Sequence, residues 1–161
     1  MSKIIFSNSD GTLSFIVPCL NEVNPTTGQP FTIQEIADKD LPAGISTYSI
    51  VEDSVIPTDI DFREAWVGVG IGTTGGTISH DITKAKEIHK TNIRAARTPL
   101  LTALDVEFQK AQETSAGITT IVAKKQALRD APAASGISTA SNTTELKAQW
   151  DTSILGTSPY S

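Results

Sequence analysis

Residues 81–132 read DITKAKEIHKTNIRAARTPLLTALDVEFQKAQETSAGITTIVAKKQALRDAP, and their apolar spacing decides what kind of protein this is. Ile82, Ala85, Ile93, Ala96, Leu100, Leu104, Phe108 and Ala111 recur three or four residues apart, or at multiples of that spacing, the period of one face of an α-helix. Ser115, Ala116 and Gly117 break the pattern, and Ile118, Ile121, Val122 and Leu128 resume it until Pro132. The stretch 81–131 predicts a helical hairpin with a short glycine-containing turn. Pro99 falls inside the first helix, where it has no N–H to donate and its ring crowds the Ala95 carbonyl. A bend near 95–99 is expected there, or a fresh helix start with Thr98 as its cap.

Upstream the period is two. KIIFSNSDGTLSFIV (3–17) holds two β-rich runs around Ser9, Asp10 and Gly11, which predicts a hairpin of strands 3–8 and 12–18. Thr32 stands three residues before Glu35, a capping-box pattern for a short helix over 32–39, and Pro42, Ala43 and Gly44 stop it. STYSIV (46–51) alternates and is rich in strand formers. Residues 1–67 therefore predict a small β-rich domain with one helix. Residues 68–80 carry five of the eleven glycines and read as a linker or a flat ribbon. Downstream, 132–161 reads as a flexible tail because AASGISTASNT (133–143) has almost no apolar bulk. A short helix over 143–151 is expected within it, capped by Thr143 and offering Leu146 and Trp150 as one small apolar face. The fold class is α+β.

Composition narrows the function. The chain has 161 residues, enough for one core with an appendage, and a net charge of −5, the wrong sign for a main partner that is nucleic acid or an anionic membrane. The charge is unevenly spread. Residues 1–80 hold three basic against ten acidic residues, whereas 81–131 hold nine against six. No run approaches the roughly 18 apolar residues of a membrane span, and the opening residues lack the continuous apolar centre of a secretory signal, so a cytosolic product is expected. One cysteine and two histidines leave no disulfide framework and too few ligands for a structural zinc site.

Candidate chemistry is sparse. Gly70-Ile71-Gly72-Thr73-Thr74-Gly75 has the spacing of a dinucleotide loop, but no βαβ unit surrounds it, so it reads as a connector. Asp59 and Asp61 are too few oxygens for a hard cation and read as an acidic turn. His89, beside Lys90 on a basic helix, reads as solvated or half-buried, His80 as a turn residue, and Cys19 as a small buried hydrophobe. No catalytic set, cofactor or metal is expected. Lys86, Lys90, Arg94 and Arg97 form one helical stripe, the basis of an alternative reading as a small regulatory or nucleic-acid-binding module that uses helix 84–97. The net negative charge disfavours nucleic acid, and the usual meaning of such a stripe is a solvated face or one that meets an acidic partner, here the acidic first domain or another subunit.

Three stretches carry a family resemblance. In IVEDSVIPTDIDFREAWV (50–67) an acidic, proline-containing run leads to Phe62-Arg63-Glu64-Ala65-Trp66. IRAARTPLLTALDVEF (93–108) and KKQALRDAP (124–132) place Arg94, Arg97, Leu100, Leu101 and Asp105 on one helix, and Gln126, Leu128, Arg129, Asp130 and Pro132 at the close of the next. TTELKAQW (143–150) ends on Trp150. Together they resemble bacteriophage tail assembly chaperones and tail-fibre assembly proteins, from which the chain departs at Val106 and at Lys124 and Lys125. The resemblance implies a non-enzymatic phage tail protein, found in the virion tail or in the host cytoplasm during assembly, that binds the tail fibre or baseplate. Two helices alone cover only part of each other's apolar faces, which also favours an interaction role. The expected partner-binding residues are Arg94, Arg97, Leu100, Leu101, Leu104, Phe108, Leu128, Arg129 and Trp150.

Overall fold

The computed structural model describes residues 1–73 and 75–160 and has an α+β fold in two compact units, Met1–Asp81 and Ile82–Ser161. In the first unit, β1 (Ser2–Ser7) is the central strand of an antiparallel sheet ordered β2-β1-β3, with β2 at Leu13–Ile16 and β3 at Tyr48–Glu52. Ile4 and Ile5 are both fully buried because both faces of the sheet are covered, so this strand reads as a continuous apolar run rather than an alternation. The β1–β2 register pairs Ile4 with Ile16 and Phe6 with Ser14. Its loop is closed by the Asp10 carboxylate, which accepts from the Thr12 amide at 2.9 Å and its hydroxyl at 2.6 Å. Gly11 supplies the positive φ that this turn requires.

On one face lies α1 (Ile33–Asp40), which buries Ile36 and Ala37 against Ile4. The expected capping box is present: the Glu35 amide donates to the Thr32 hydroxyl, and the Glu35 carboxylate accepts from the Thr32 amide at 2.8 Å. These bonds hold the Glu35 carboxyl below its ordinary range. Against β1 and β2 packs β4 (Trp66–Val69), paired antiparallel with β5 (Thr77–His80). The glycine-rich stretch 68–80 is thus a two-stranded ribbon of the first unit and not a linker between domains. Backbone pairing holds it where side chains cannot, and the Ser49 hydroxyl pins its turn, accepting from the Gly72 amide at 2.9 Å and donating to the Thr73 carbonyl at 3.3 Å. Phe62, Ala65 and Trp66 are core residues, and Trp66 Nε1 donates to His80 Nε2 at 3.1 Å. His80 therefore belongs to a strand, not a turn. Cys19 is exposed rather than buried.

The second unit is built on α2 (Ile82–Glu113), 32 residues and about 48 Å long. It runs through Pro99 as one helix; Thr98 does not cap a second segment but donates its hydroxyl back to the Arg94 carbonyl at 2.8 Å. Burial of Ile93 before the proline and Leu104 after it holds the helix together across the missing hydrogen bond. Ser115, with φ 56°, turns the chain, and the Ala116 amide donates to the Ala111 carbonyl at 2.8 Å. Helix α3 (Thr119–Asp130) then packs back on α2.

Residues 132–160 are not a loose tail. A 3-10 turn (Ala131–Ala133) leads to α4 (Ser135–Thr139), α5 (Thr143–Lys147) and α6 (Thr152–Leu155), which bury Ile137, Leu146 and Leu155. Each helix is too short to stand alone, and tertiary packing, of α4 on the 3-10 turn, of α5 on α2 and of α6 on α2 and α3, replaces propensity. The cap of α5 is Asn142, not Thr143: its side chain accepts from the Glu145 amide at 2.8 Å. Trp150 lies beyond the end of α5, in the turn before α6.

A methyl group added at buried Gly76 would sit 2.6 Å from Ser49 Oγ and 2.9 Å from its Cβ, whereas at Gly117 it meets nothing within 4 Å. Gly76→Ala is expected to lower stability by about 1–3 kcal/mol through overpacking, and Gly117→Ala to leave it within about 0.5 kcal/mol or raise it slightly. Urea unfolding followed by circular dichroism distinguishes the two.

Candidate functional site

The interaction residues expected from sequence fall on α2, α3 and the turn at Trp150, all within the second unit. The hairpin is antiparallel, with Phe108 and Asp105 opposite Lys125, and Arg97 opposite the end of α3. Lys125 forms a salt bridge with Asp105 and lies 5.0 Å over the Phe108 ring. Phe108 is therefore roofed by a cation of its own chain and half-buried.

Helix α6 folds back over α2 and α3 and leaves a hollow on either side of Ile154. One hollow, about 310 Å³, is lined by Leu100, Ala103, Leu104 and Glu107 of α2, Lys124, Ala127 and Leu128 of α3, and Ser153 and Ile154 of α6. Its wall is mostly aliphatic, with one carboxylate and one ammonium. The other, about 300 Å³, shares Ala127 and Ile154 and is lined also by Asp130, Ala131 and Leu155. The structure thus brings Leu100, Leu104 and Leu128 together on one concave surface. Leu104 and Leu128 form its floor, 9% and 3% exposed, and Leu100 is half-buried.

The remaining expected residues do other work. Arg97 donates from Nη1 to the carbonyls of Arg129 at 2.7 Å and Leu128 at 3.3 Å, supplying donors to the end of α3 where the helix has none. Arg94 and Arg129 are exposed, and Leu101 is half-buried away from the hollow. Trp150 is not an exposed anchor. It is 7% exposed, donates from Nε1 to the Gly156 carbonyl at 3.1 Å, and sits edge-on to His89 and Tyr160. His89, expected solvated or half-buried, is fully buried.

The basic stripe is largely engaged by its own chain. Lys86 donates to the Ser138 carbonyl at 2.7 Å, Lys90 pairs with Glu87 at 2.7 Å, and Arg97 closes α3; Arg94 points to solvent. The glycines of 70–76 join two antiparallel strands, and no helix opens on them; Thr74 of that motif lies outside the described residues. Asp59 accepts from the Asp61 amide at 3.1 Å, an Asx turn. Among the described residues no group of three or more acidic, histidine or cysteine side chains could hold a metal ion, and no helix is long and apolar enough to cross a membrane.

Sequence reasoning did not pick out Ala103, Ala127, Ser153 or Ile154 as part of this surface. The signal for α6 is present: Asp151 accepts from the Ser153 amide at 2.9 Å as an N-cap, Ile154 and Leu155 follow, and Gly156 ends the turn with φ 81°. No family model, curated protein or solved structure matches the chain.

Arg97→Ala leaves two helix-end carbonyls without their donor and is expected to destabilise the second unit by about 1.5–3 kcal/mol. Arg94→Ala, with an exposed side chain, is expected to change stability by less than about 0.5 kcal/mol. Thermal unfolding of the two variants side by side checks the contrast.

Proposed function

We infer that the chain is a non-enzymatic bacteriophage tail protein that binds a tail-fibre or baseplate protein, as an assembly chaperone or as an adaptor retained in the virion. The observation that carries this reading is the open aliphatic hollow between α2, α3 and α6. Its wall includes Leu100, Leu104 and Leu128, three of the residues through which the sequence resembles tail assembly proteins or was expected to bind. Apolar side chains of a fibre or baseplate segment would fill it, and Glu107 and Lys124 would orient the segment by charge. Such a protein acts in the host cytoplasm during assembly or on the virion tail.

The other residues of the resemblance support the frame of this surface rather than its contacts. Arg97 fixes the end of α3, Gln126 donates to Asp130 at 2.9 Å, and buried Pro132 starts the return toward α2. The alternative of a nucleic-acid-binding module draws less support, because Lys86, Lys90 and Arg97 of its stripe are bonded within the chain.

Co-expression with the tail-fibre and baseplate proteins of the genome that encodes it tests the proposal. One of them is expected to become soluble and co-purify. Ala103 is exposed on the helix, so Ala103→Glu should fold normally yet place a carboxylate in the hollow and weaken the complex at least about tenfold, roughly 1.4 kcal/mol. Unchanged binding by a folded Ala103→Glu protein, or no fibre or baseplate protein captured at all, overturns it.

A further inference from the structure

The two hollows beside Ile154 repeat along α3. Lys124, Ala127 and Leu128 line the first, and Ala127, Asp130 and Ala131 line the second, which is the same spacing displaced by three residues. At 1.5 Å of rise per residue the displacement is about 4.5 Å, close to one helical turn. Half-buried Ile154 of α6 belongs to both walls. At about 310 Å³ and about 300 Å³, each hollow lies at the lower end of ligand-pocket sizes, with room for a side chain rather than a large cofactor. We propose that the two hollows form one groove for an amphipathic helix of a partner protein, which seats two apolar side chains on either side of Ile154 and a lysine or arginine over Asp130 and Asp151.

The repeat sets the spacing of the occupant. Side chains three or four residues apart share one face of a helix and lie about one turn from each other, which matches the displacement of the hollows. Same-face neighbours on a strand lie about 6.6 Å apart, which is too far. The occupant presupposes the protein-binding reading of this surface, and adds to it the second hollow and the kind of segment that fits.

Charge identifies the chemistry of that segment. The second hollow holds two carboxylates and no cation, and its remaining polar side chain is neutral Gln149. Asp130 accepts from the Gln126 side-chain amide at 2.9 Å and 3.0 Å, and Asp151 accepts from the Ser153 amide at 2.9 Å and hydroxyl at 2.6 Å. These donors are neutral, and among the described residues neither carboxylate enters a salt bridge. The bonds from the Ser153 hydroxyl and amide hold the Asp151 carboxyl below its ordinary range, so it is charged at neutral pH. In the first hollow Glu107 and Lys124 offset each other in charge. The groove therefore carries three carboxylates against one ammonium, and the excess falls at the Asp130 end. A cationic side chain there gains charge-assisted hydrogen bonds to acceptors already fixed in place, whereas an acidic segment is repelled.

A displayed library of helical peptides, randomised on one face and selected at low salt against the immobilised full chain, reads this preference. Enriched peptides are expected to carry two apolar residues three or four apart and a lysine or arginine beyond the second. Asn accepts the same hydrogen bonds and caps a helix as well as Asp, so Asp130→Asn with Asp151→Asn should fold. It should weaken binding of the best peptide at least about tenfold at low salt and by less at high salt. Ala134 is exposed at the wall of the second hollow, so Ala134→Trp should fold, plug it and cause a similar loss. Circular dichroism checks the fold of both proteins, and either one that folds decides. No enrichment, enrichment of acidic or single-anchor peptides, or unchanged affinity in a folded variant overturns the proposal. Self-association abolished by Ala134→Trp also overturns it, by giving the groove to a second copy. The two readings fail separately. A captured tail protein that is lost on Ala103→Glu but kept on Ala134→Trp removes only the two-hollow groove, and the expected peptides with no tail protein captured remove only the tail role.

Discussion

The second unit is governed by one mismatch of length. Helix α2 has 32 residues and α3 has 12, about 48 Å against about 18 Å, so the hairpin partner reaches only the later part of the buried stripe. Leu104 and Ala111 find cover near α3, but Ala85, His89 and Ile93 do not. The 3-10 turn, α4, α5, α6 and the segment ending at Tyr160 exist in this form because they supply that cover. None has more than five residues, and α4, α5 and α6 each bury one apolar side chain, Ile137, Leu146 and Leu155.

The surplus apolar surface expected of two lone helices is therefore much smaller than their sequences suggest. The chain returns on itself and takes up Leu146, Trp150 and Leu155, and leaves the hollows on either side of Ile154 open. The proposed binding role rests on that local concavity and not on a whole unsatisfied helix face. The charge tells the same story, since three of the four stripe cations complete hydrogen bonds of the unit that carries them.

What could be read in the sequence was local. The Asp10–Gly11 hairpin, the Thr32–Glu35 capping box and the two long helices each declare themselves within a dozen residues, through turn chemistry or a sustained period. The ribbon around the glycines was obscure because backbone pairing and the Ser49 hydroxyl, not side-chain pattern, define it. Residues 132–160 were misread because Ile137, Leu146 and Leu155 are isolated in polar sequence and become core only when α2 is placed beneath them. The same holds for the site: Leu100, Leu104 and Leu128 stand out by period, whereas Ala103, Ala127 and Ile154 gain meaning only from the position of α6.

The distance along the chain between α2 and its cover has a consequence for biosynthesis. Ala85 leaves the ribosome seventy-five residues before Tyr160, and at translation rates of about 5–20 residues per second the stripe waits roughly 4–15 s for that covering side chain. The β-rich unit, with all its pairing within residues 2–80, is already complete by then. During that interval the nascent helix is a sticky, half-clothed rod, and the length of its exposure is set by how quickly residues 132–160 arrive.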